Sequence, residues 1–319
     1  MVEELAQQAS RNRRVAAIDC GTNTIKLLIG THTGDGLDVA VREARMVRLG
    51  QGLDASGVIA AEALERAFAA IDEYADLIRD HGADRVRFVA TSATRDAANA
   101  EVFTAGVRDR LGVEPEVVSG AEEAALAFDG AVRNLRHTPD LPALVVDIGG
   151  GSTELILGTA LTSAPSAAHS MDIGSVRLHE RHLRSDPPTM DEVAACVRDI
   201  DDHLDRSPVS PTAAAGVIGV AGTTTTVAAG VLDLPAYDRD AIDQAELAVD
   251  HVHALVDRLV AMTVAERLAL PWMHPGRADV IAAGALILSR VLRRTPAATL
   301  LVSESDILDG IAWSLVEPH

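Results

Sequence analysis

The chain has 319 residues, of which 48% are hydrophobic and 24% are charged, a balance typical of folded proteins rather than disordered or fibrous ones. Acidic residues outnumber basic ones by 47 to 28, and the net charge of −19 argues against a protein that binds nucleic acid or a membrane surface through charge. Two cysteines cannot build a disulfide framework, and no apolar stretch is long enough to span a bilayer. We therefore expect a cytoplasmic protein of about two domains.

The first half of the chain alternates predicted strands and helices. It opens with a β-hairpin over residues 15–30, followed by a strand over 37–47. Apolar residues at helical spacing predict a helix over Ala61–Asp80 that ends at Gly82. The remaining elements predicted for this half are a strand over 86–90, a helix from an Asp96 cap to about residue 110, a strand over 113–118 and a helix over 121–136.

The second half follows the same plan. A second β-hairpin covers residues 144–158. Thr189 and Glu192 have the spacing of a capping box, which predicts a helix from there to about residue 204. The other elements predicted for this half are strands over 167–173, 217–221 and 300–303 and helices over 176–183 and 307–316.

The two hairpins are similar in sequence, which indicates an internal duplication. Asp19 aligns with Asp147 and Gly21 with Gly149, an offset of 128 residues that is about the size of one domain. Two unrelated hairpins with glycine turns are the simpler alternative, but two matches at a domain-sized offset favour duplication. We predict an N-terminal domain over 1–135 and a C-terminal domain over 136–319, with the option that the last helix packs on the first domain.

Both hairpin turns place glycines and small polar residues beside an aspartate. A tight glycine turn presents backbone N–H groups to phosphate oxygens, and successive glycines permit positive φ angles and close approach of a ligand. Asp147 and Glu154 could supply hard oxygen ligands for Mg²⁺, with Asp19 as a third candidate. A purely structural role for both hairpins is the alternative. The candidate substrate-binding residues are Gly21, Thr22, Asn23, Thr24, Gly149, Gly150, Gly151, Ser152 and Thr153.

Four further stretches narrow the comparison to one family. Residues 91–95, 118–124, 277–284 and 302–310 resemble signatures of the exopolyphosphatase / guanosine pentaphosphate phosphohydrolase family. The two hairpins resemble the phosphate loops of its superfamily, which contains actin, sugar kinases and heat-shock ATPases. The resemblance runs from about residue 14 to 316 and fits the short form of the family. It implies an α/β fold of two duplicated RNase-H-like (actin-like ATPase) domains around a central cleft.

The resemblance also implies roles for individual residues. Glu123 matches the proposed catalytic glutamate of the family, and a carboxylate can position or deprotonate an attacking water. Its neighbour Glu122 should point about 100° away along the helix. Arg95 matches an arginine thought to hold substrate phosphate. Thr22 and Thr24 stand where serines are common, and Ala121 stands where a polar residue is frequent. Mg²⁺, with Mn²⁺ as the alternative, is the implied cofactor, and a homodimer is compatible with the family.

The implied function is the Mg²⁺-dependent release of terminal phosphate from inorganic polyphosphate. Guanosine pentaphosphate is the alternative substrate within the family. The supply of aromatic side chains that could stack on a guanine base is small, at 3% of the chain, which favours polyphosphate. Two other classes stay open: a kinase of the same superfamily, and a sensor that binds phosphate or nucleotide without turnover.

Other motifs have two interpretations each. Lys26 is either a cation close to substrate or an exposed strand residue. The segment 219–226 resembles a nucleotide-contacting turn of kinases in the superfamily, although N-capping by Thr223 is sufficient to explain it. Two groups of arginines either follow a phosphate chain or form solvated faces. These groups are Arg42, Arg45 and Arg48, and Arg177, Arg181 and Arg184.

Overall fold

A computed structural model describes residues 14–33, 36–161 and 164–316. The chain forms two units, each built around one sheet. One unit runs up to Ser119 and takes in the chain from Ile307 onward, and the other is Gly120–Asp306. The division therefore lies at Ser119 and not at the predicted residue 135. The helix that follows Ser119 belongs to the second unit because its apolar face packs on the second sheet.

The first unit has a five-stranded sheet in the order β3-β2-β1-β4-β5. Strand β1 is buried along almost its whole length, as expected for a strand with neighbours on both sides and helices on its faces. It pairs antiparallel with β2 and parallel with β4. The strands are β1 (Arg14–Cys20), β2 (Thr24–His32), β3 (Leu37–Met46), β4 (Arg85–Ala90) and β5 (Glu116–Val117).

The helices of the first unit cover this sheet. The long helix over Ala61–Asp80 is amphipathic and ends as predicted, because Gly82 adopts a positive φ of 60° that only glycine takes without strain. The last helix of the chain packs on β1 and β2. The helices are α1 (Leu53–Ser56), α2 (Ala61–Asp80), α3 (Ser92–Asp96), α4 (Ala100–Leu111) and, after the second unit, α13 (Ile307–Ser314).

The second unit has a six-stranded sheet in the order β10-β11-β9-β6-β7-β8. Strand β6 is completely buried and has the same neighbours as β1: an antiparallel hairpin partner, β7, and a parallel strand, β9. The strands are β6 (Ala143–Ile148), β7 (Thr153–Gly158), β8 (Ala167–Met171), β9 (Gly216–Val220), β10 (Glu246–Ala248) and β11 (Thr299–Val302).

Eight helices belong to the part of the second unit that the structure describes. The capping box predicted from sequence is present: the Thr189 hydroxyl accepts from the Glu192 amide, and the Glu192 carboxylate accepts from the Thr189 amide. The helices are α5 (Gly120–Arg133), α6 (Ser175–His182), α7 (Met190–Arg206), α8 (Ala221–Val231), α9 (Arg239–Ile242), α10 (Val249–Ala261), α11 (Val264–Leu268) and α12 (Ile281–Leu292).

The two sheets share the same hairpin geometry. In the first hairpin Asp19 lies opposite Lys26 and the Gly21 amide donates to the Thr24 carbonyl at 3.0 Å. In the second, Asp147 lies opposite Glu154, and the turn closes with the matching bond from Gly149 to Ser152, also at 3.0 Å. All these positions are related by the offset of 128 residues, so the duplication predicted from sequence extends to the register of the strands.

Three local predictions were wrong. Asp96 does not cap a helix: it ends the short helix α3, and α4 begins after Asn99. The strand expected over 113–118 is reduced to Glu116–Val117 because only these residues pair with β4. Thr223 is not an N-cap, since α8 already begins at Ala221 and its capping residue is Val220.

Across the described residues, no helix is long and apolar enough to cross a membrane.

Candidate active site

Two buried carboxylates face each other across the second hairpin. Asp147 on β6 and Glu154 on β7 are directly opposed in the antiparallel register. Their side chains are almost inaccessible to solvent, with 6% and 1% exposure. Like charges at directly opposed positions of a sheet repel each other. The sequence therefore places an unfavourable charge pair at the centre of the sheet.

Glu123 adds a third carboxylate to this pair. Helix α5 packs on β6, β7 and β8, and Glu123 in its first turn is buried whereas the adjacent Glu122 is exposed, as expected from their 100° separation. Burial raises the pKa of Glu154 well above its usual value, and the charges of Glu123 and Asp147 raise it further. We call Glu123, Asp147 and Glu154 the acidic cluster.

Two serines hold Glu154 in place. The Ser170 hydroxyl donates to Oε1 of Glu154 at 2.7 Å from the directly opposed position on β8. Ser152 also forms a hydrogen bond with the Glu154 side chain, and both bonds act to lower the pKa of Glu154. A Cβ at Gly120 would lie 2.6 Å from Cβ of Ser170, so glycine at this position allows α5 to approach the serine.

The glycine loop over 149–151 is anchored through its carbonyl groups. The Gly149 carbonyl accepts from the Ser175 amide at 3.0 Å, and the Gly150 carbonyl accepts from the next two amides of α6 at 2.9 and 3.1 Å. The Gly151 carbonyl accepts from Nε of Arg177 at 2.8 Å. In a trans peptide the N–H group points opposite to the carbonyl. The amides of Gly150, Gly151 and Ser152 therefore point away from α6, as a phosphate-binding loop requires.

The three glycines of this loop are not among those with positive φ angles, contrary to the prediction. The described glycines with positive φ are Gly52, Gly57, Gly82 and Gly112. Close packing is evident instead at Gly174, where a Cβ would lie 2.4 Å from the Gly150 carbonyl oxygen. Thr153 also differs from the prediction, because its fully buried hydroxyl donates to the Ile173 carbonyl at 2.7 Å. Its side chain holds the hairpin together.

In the first hairpin the two residues at the equivalent positions carry charges opposite to each other. Asp19 forms an ion pair with Lys26, with 3.3 Å between Oδ2 and Nζ, so Lys26 is neither isolated nor on an exposed strand face. The Thr22 and Ser92 hydroxyls form a buried hydrogen bond of 2.9 Å. The Thr24 hydroxyl donates to the Met46 sulfur at 3.2 Å. The threonine side chains therefore brace the loop, and its backbone amides are the groups suited to bind phosphate.

Arg95 lies in the last turn of the short helix α3, which follows the carboxyl end of β4. In open α/β sheets this edge is where ligands bind. Its guanidinium donates to the Val118 carbonyl at 3.0 Å, and the preceding turn is joined to the first hairpin by the Thr22–Ser92 bond. The structure thus places Arg95 and the first loop in one unit and the acidic cluster in the other.

The comparison with known proteins decides the family. Residues 28–319 match the model of the Ppx/GppA phosphatase family. The chain belongs to this family. Exopolyphosphatase 2 of Mycobacterium tuberculosis (strain H37Rv) is 48% identical over 318 residues, which are 95% of this chain and 98% of that protein.

Two further proteins resemble this chain over different lengths. The crystal structure of an exopolyphosphatase from Cytophaga hutchinsonii has a TM-score of 0.87 and 28% identity, and the match covers 95% of this chain and 98% of that one. A guanosine-5'-triphosphate,3'-diphosphate pyrophosphatase of Photobacterium profundum is 34% identical over 169 residues, 53% of this chain and 33% of that protein. The predicted family and the predicted two-domain fold class are confirmed.

The acidic cluster is the part of this Ppx/GppA chain that is suited to a divalent cation. Among the described residues, no three or more His, Cys, Asp or Glu side chains are arranged to hold a metal ion by themselves. Mg²⁺ does not require such a cage, because it keeps several waters and binds through one or two carboxylates together with substrate phosphates. The opposed carboxylates of Asp147 and Glu154, with the raised pKa of Glu154, fit such an open site.

The other candidate motifs have structural partners in this Ppx/GppA member. Arg42 bonds to Asp309, Arg45 to Glu43 and Glu73, and Arg181 to Asp199. These three arginines of the two groups are thus engaged by acidic side chains of the protein. At the strand-to-helix turn, the Arg277 guanidinium donates to the Gly222 carbonyl at 3.1 Å and to the Thr226 hydroxyl at 2.9 Å. A Cβ on Gly222 would lie 2.4 Å from this guanidinium, so the turn is packed by a side chain of the protein itself.

Sequence reasoning missed Ser170, Gly174 and the specific role of Arg177. The strand register could have indicated Ser170, since β8 pairs with β7 and places it opposite Glu154. Gly174 and Arg177 lie in the predicted connection and helix after that strand, but their contacts with the loop are tertiary. No spacing in the sequence encodes such contacts.

Proposed function

We propose that this chain is an exopolyphosphatase, which hydrolyses the terminal phosphate of inorganic polyphosphate with the help of a divalent cation. The observation that carries the proposal is the acidic cluster. Three carboxylates lie together in one unit, next to a loop whose carbonyls are all bound on one side. Such an arrangement is unfavourable for folding and is suited to a cation and a phosphate group.

In this proposal Asp147 and Glu154 hold the cation, Mg²⁺ in the first place and Mn²⁺ as the alternative. When bound, the cation offsets the negative charge of the phosphate oxygens and of the leaving group. Asp19, the third candidate ligand, already forms an ion pair with Lys26 at 3.3 Å. We therefore assign the cation to the second hairpin.

Glu123 is proposed to orient the attacking water and accept its proton. The water oxygen forms a bond to the terminal phosphorus while the bridging P–O bond breaks, and the electron pair of that bond stays with the shortened polyphosphate. The products are inorganic phosphate and a chain one unit shorter. Glu123 suits this role because it is buried beside Glu154 at the start of α5.

Backbone amides are proposed to bind the phosphate oxygens. In the second unit these are the amides of Gly150, Gly151 and Ser152, which point away from α6. In the first unit we propose the same role for the loop over 21–24, with Arg95 as a charged contact to phosphate. Preorganised donors of this kind stabilise charge that develops in the transition state.

Guanosine pentaphosphate is the second candidate substrate. The similarity to the pyrophosphatase of Photobacterium profundum, 34% over about half of this chain, supports some activity on it. The match to exopolyphosphatase 2 is stronger and covers nearly all of both proteins, which favours polyphosphate. We expect the higher kcat/KM with polyphosphate of short to medium length.

The test is phosphate release from polyphosphate and from guanosine pentaphosphate, measured side by side with Mg²⁺ and with excess chelator. We expect Mg²⁺-dependent release from both, faster from polyphosphate. A higher kcat/KM for guanosine pentaphosphate would reverse the order of substrates, and full activity in chelator would overturn the metal assignment. Binding of polyphosphate without release would identify a sensor, and ATP consumption that requires an acceptor would identify a kinase.

The role of Glu123 is tested by Glu123→Gln, with Glu122→Gln as the matched control on the exposed neighbour. Loss of a general base lowers turnover by about 10²-fold or more, while substrate binding should survive. Glu122→Gln should keep close to wild-type turnover because its side chain is exposed. Equal activity of Glu123→Gln and the wild type would end this assignment.

A further inference from the structure

One carbonyl group at equivalent positions of the two phosphate loops accepts hydrogen bonds from different kinds of donor. Gly151 in the second loop corresponds to Asn23 in the first. The Asn23 carbonyl accepts from the backbone amides of Val47 and Arg48 at 3.1 and 2.9 Å. The Gly151 carbonyl accepts from Nε of Arg177 at 2.8 Å. A side chain in the second loop thus takes the place of main-chain donors in the first.

This difference affects one particular amide. The Gly151 carbonyl and the Ser152 N–H belong to the same planar peptide and point in opposite directions. The peptides before it are fixed independently, because their carbonyls accept from backbone amides of α6. Within this loop, the orientation of the Ser152 N–H therefore depends on Arg177, and that of Gly150 and Gly151 does not.

We propose that Arg177 is a positioning residue of the second phosphate loop. It fixes the Gly151–Ser152 peptide so that the Ser152 N–H faces a phosphate oxygen. Its guanidinium also polarises this peptide, and a hydrogen bond from a charged donor is stronger than one from a neutral donor. The inference rests on the proposed function only in naming phosphate as the ligand of the loop.

The charge of Arg177 has a second consequence. The loop lies between Asp147 and Glu154, whose negative charges oppose the approach of a phosphate group. Arg177 is half-buried, so solvent screens its charge less than that of a surface arginine. A fixed positive charge directly behind the loop offsets part of this repulsion. This explains why a charged side chain, and not a neutral donor, is suited to the position.

The experiment compares Arg177→Met, Arg177→Lys and Arg184→Met with the wild type. Arg184 lies seven residues further along the chain and is exposed, so Arg184→Met removes the same charge without touching the loop. Deuterated, ¹⁵N-labelled protein is titrated with inorganic phosphate in the presence of Mg²⁺, and the amide shifts of Gly150, Gly151 and Ser152 are followed. Thermal unfolding shows that each variant is folded.

We expect phosphate to shift all three amides in the wild type and in Arg184→Met. In Arg177→Met the shift of Ser152 is lost, whereas the shifts of Gly150 and Gly151 remain. Arg177→Lys restores part of it because the ammonium group can also donate to the Gly151 carbonyl. In parallel, kcat/KM for polyphosphate should fall about 10-fold to 10²-fold in Arg177→Met. This is less than the loss of about 10²-fold to 10³-fold for a removed oxyanion donor, because the Ser152 amide itself remains.

A Ser152 amide that responds to phosphate as in the wild type in folded Arg177→Met would overturn the proposal. Equal loss of the phosphate-induced shift at all three amides would also overturn it, since Arg177 would then stabilise the whole loop and not the Ser152 amide in particular. These results do not depend on turnover. If the wild type releases no phosphate from polyphosphate, the proposed function fails while the Ser152 response still decides the role of Arg177.

Discussion

The two hairpins have the same backbone geometry but differ in the charges of one directly opposed pair of residues. The first pairs Asp19 with Lys26 in an ion pair, and the second pairs Asp147 with Glu154, two acids, at the same register. Opposite charges stabilise a directly opposed pair and like charges destabilise it. The first hairpin is therefore neutralised by its own residues, whereas the second has two opposed carboxylates that suit a ligand of positive charge.

The comparison shows how two copies of a duplicated scaffold can differ in charge while they keep the same backbone geometry. Turn closure and hairpin register are the same in both units. The strand order of the first sheet recurs in the second, which has β10 as an additional edge strand. One substituted position, Lys26 against Glu154, converts an internal ion pair into an acidic cluster when Glu123 is added. The loop carbonyl that main-chain amides hold in the first copy is held by Arg177 in the second.

The largest effect is expected from removal of one acid of the second hairpin. Glu154→Gln should lower the rate of phosphate release by about 10²-fold or more, because several kcal/mol of transition-state stabilisation come from a bound cation. The rate should also become less dependent on Mg²⁺ concentration. Steady-state kinetics over a Mg²⁺ series measures both effects, and a wild-type response of Glu154→Gln would refute the metal role of this carboxylate.

The next effect concerns the ion pair of the first hairpin. Lys26→Met should lower the free energy of unfolding by about 2–3 kcal/mol, because it leaves the buried Asp19 carboxylate without this partner. Lys26→Arg keeps the charge and should cost less. Urea denaturation measures the difference. Unchanged stability of Lys26→Met would show that the pair does not stabilise the hairpin.

The burial of Glu154 beside two other acids in the second unit should make the stability of the protein depend on pH. The pKa of Glu154 is raised in the folded protein, whereas the pKa of a glutamate in the unfolded chain is about 4.3. Between these two pKa values the folded state binds more protons than the unfolded state. The free energy of unfolding therefore falls as the pH rises, by at most about 1.4 kcal/mol per pH unit for one group.

Urea denaturation in chelator from pH 5 to pH 8 measures this slope. Glu154→Gln should lose stability less steeply with rising pH than the wild type does, because the variant lacks the titrating group. Thr24→Val, at the position of the first hairpin equivalent to Ser152, changes no titrating group and should keep the wild-type slope. Parallel curves for the wild type and Glu154→Gln would contradict the raised pKa of Glu154.

The smallest effect is expected at the hydroxyl groups of the first loop. Thr22→Val removes the buried bond to Ser92 at 2.9 Å and should cost about 1 kcal/mol of stability. Thr24→Val removes a bond to the Met46 sulfur, a weaker acceptor, and should cost less. Thermal unfolding of both variants measures the order, and a reversed order would show that the loop is braced differently.

The elements that follow from local patterns were predicted well. Helix α2 follows from apolar residues at helical spacing and the stop at Gly82, and helix α7 follows from the capping box at Thr189. The duplication placed Asp147 and Glu154 beside a turn, and the strand register then made them opposed. These features depend on neighbours in sequence or on an internal alignment, so the sequence alone contains them.

The features that depend on tertiary packing were not predicted. Helix α5 belongs to the second unit because of the strands it packs on. Aspartate is a common N-cap residue, but Asp96 is the last residue of α3. This short helix begins at Ser92, directly after β4. The commitment of the Thr153 hydroxyl to Ile173 and of Arg177 to Gly151 could be seen only in the folded chain.

The most direct test of cation binding by the acidic cluster is calorimetric titration of Mg²⁺ into metal-free protein in the presence of inorganic phosphate. We expect Mg²⁺ to bind to the wild type, and this binding should be lost or strongly weakened in Asp147→Asn and in Glu154→Gln. Binding should be unchanged in Lys26→Met, at the position equivalent to Glu154 in the first hairpin. Binding that survives both changes in the second hairpin, or that requires Lys26, would contradict the assignment of the cation to the acidic cluster.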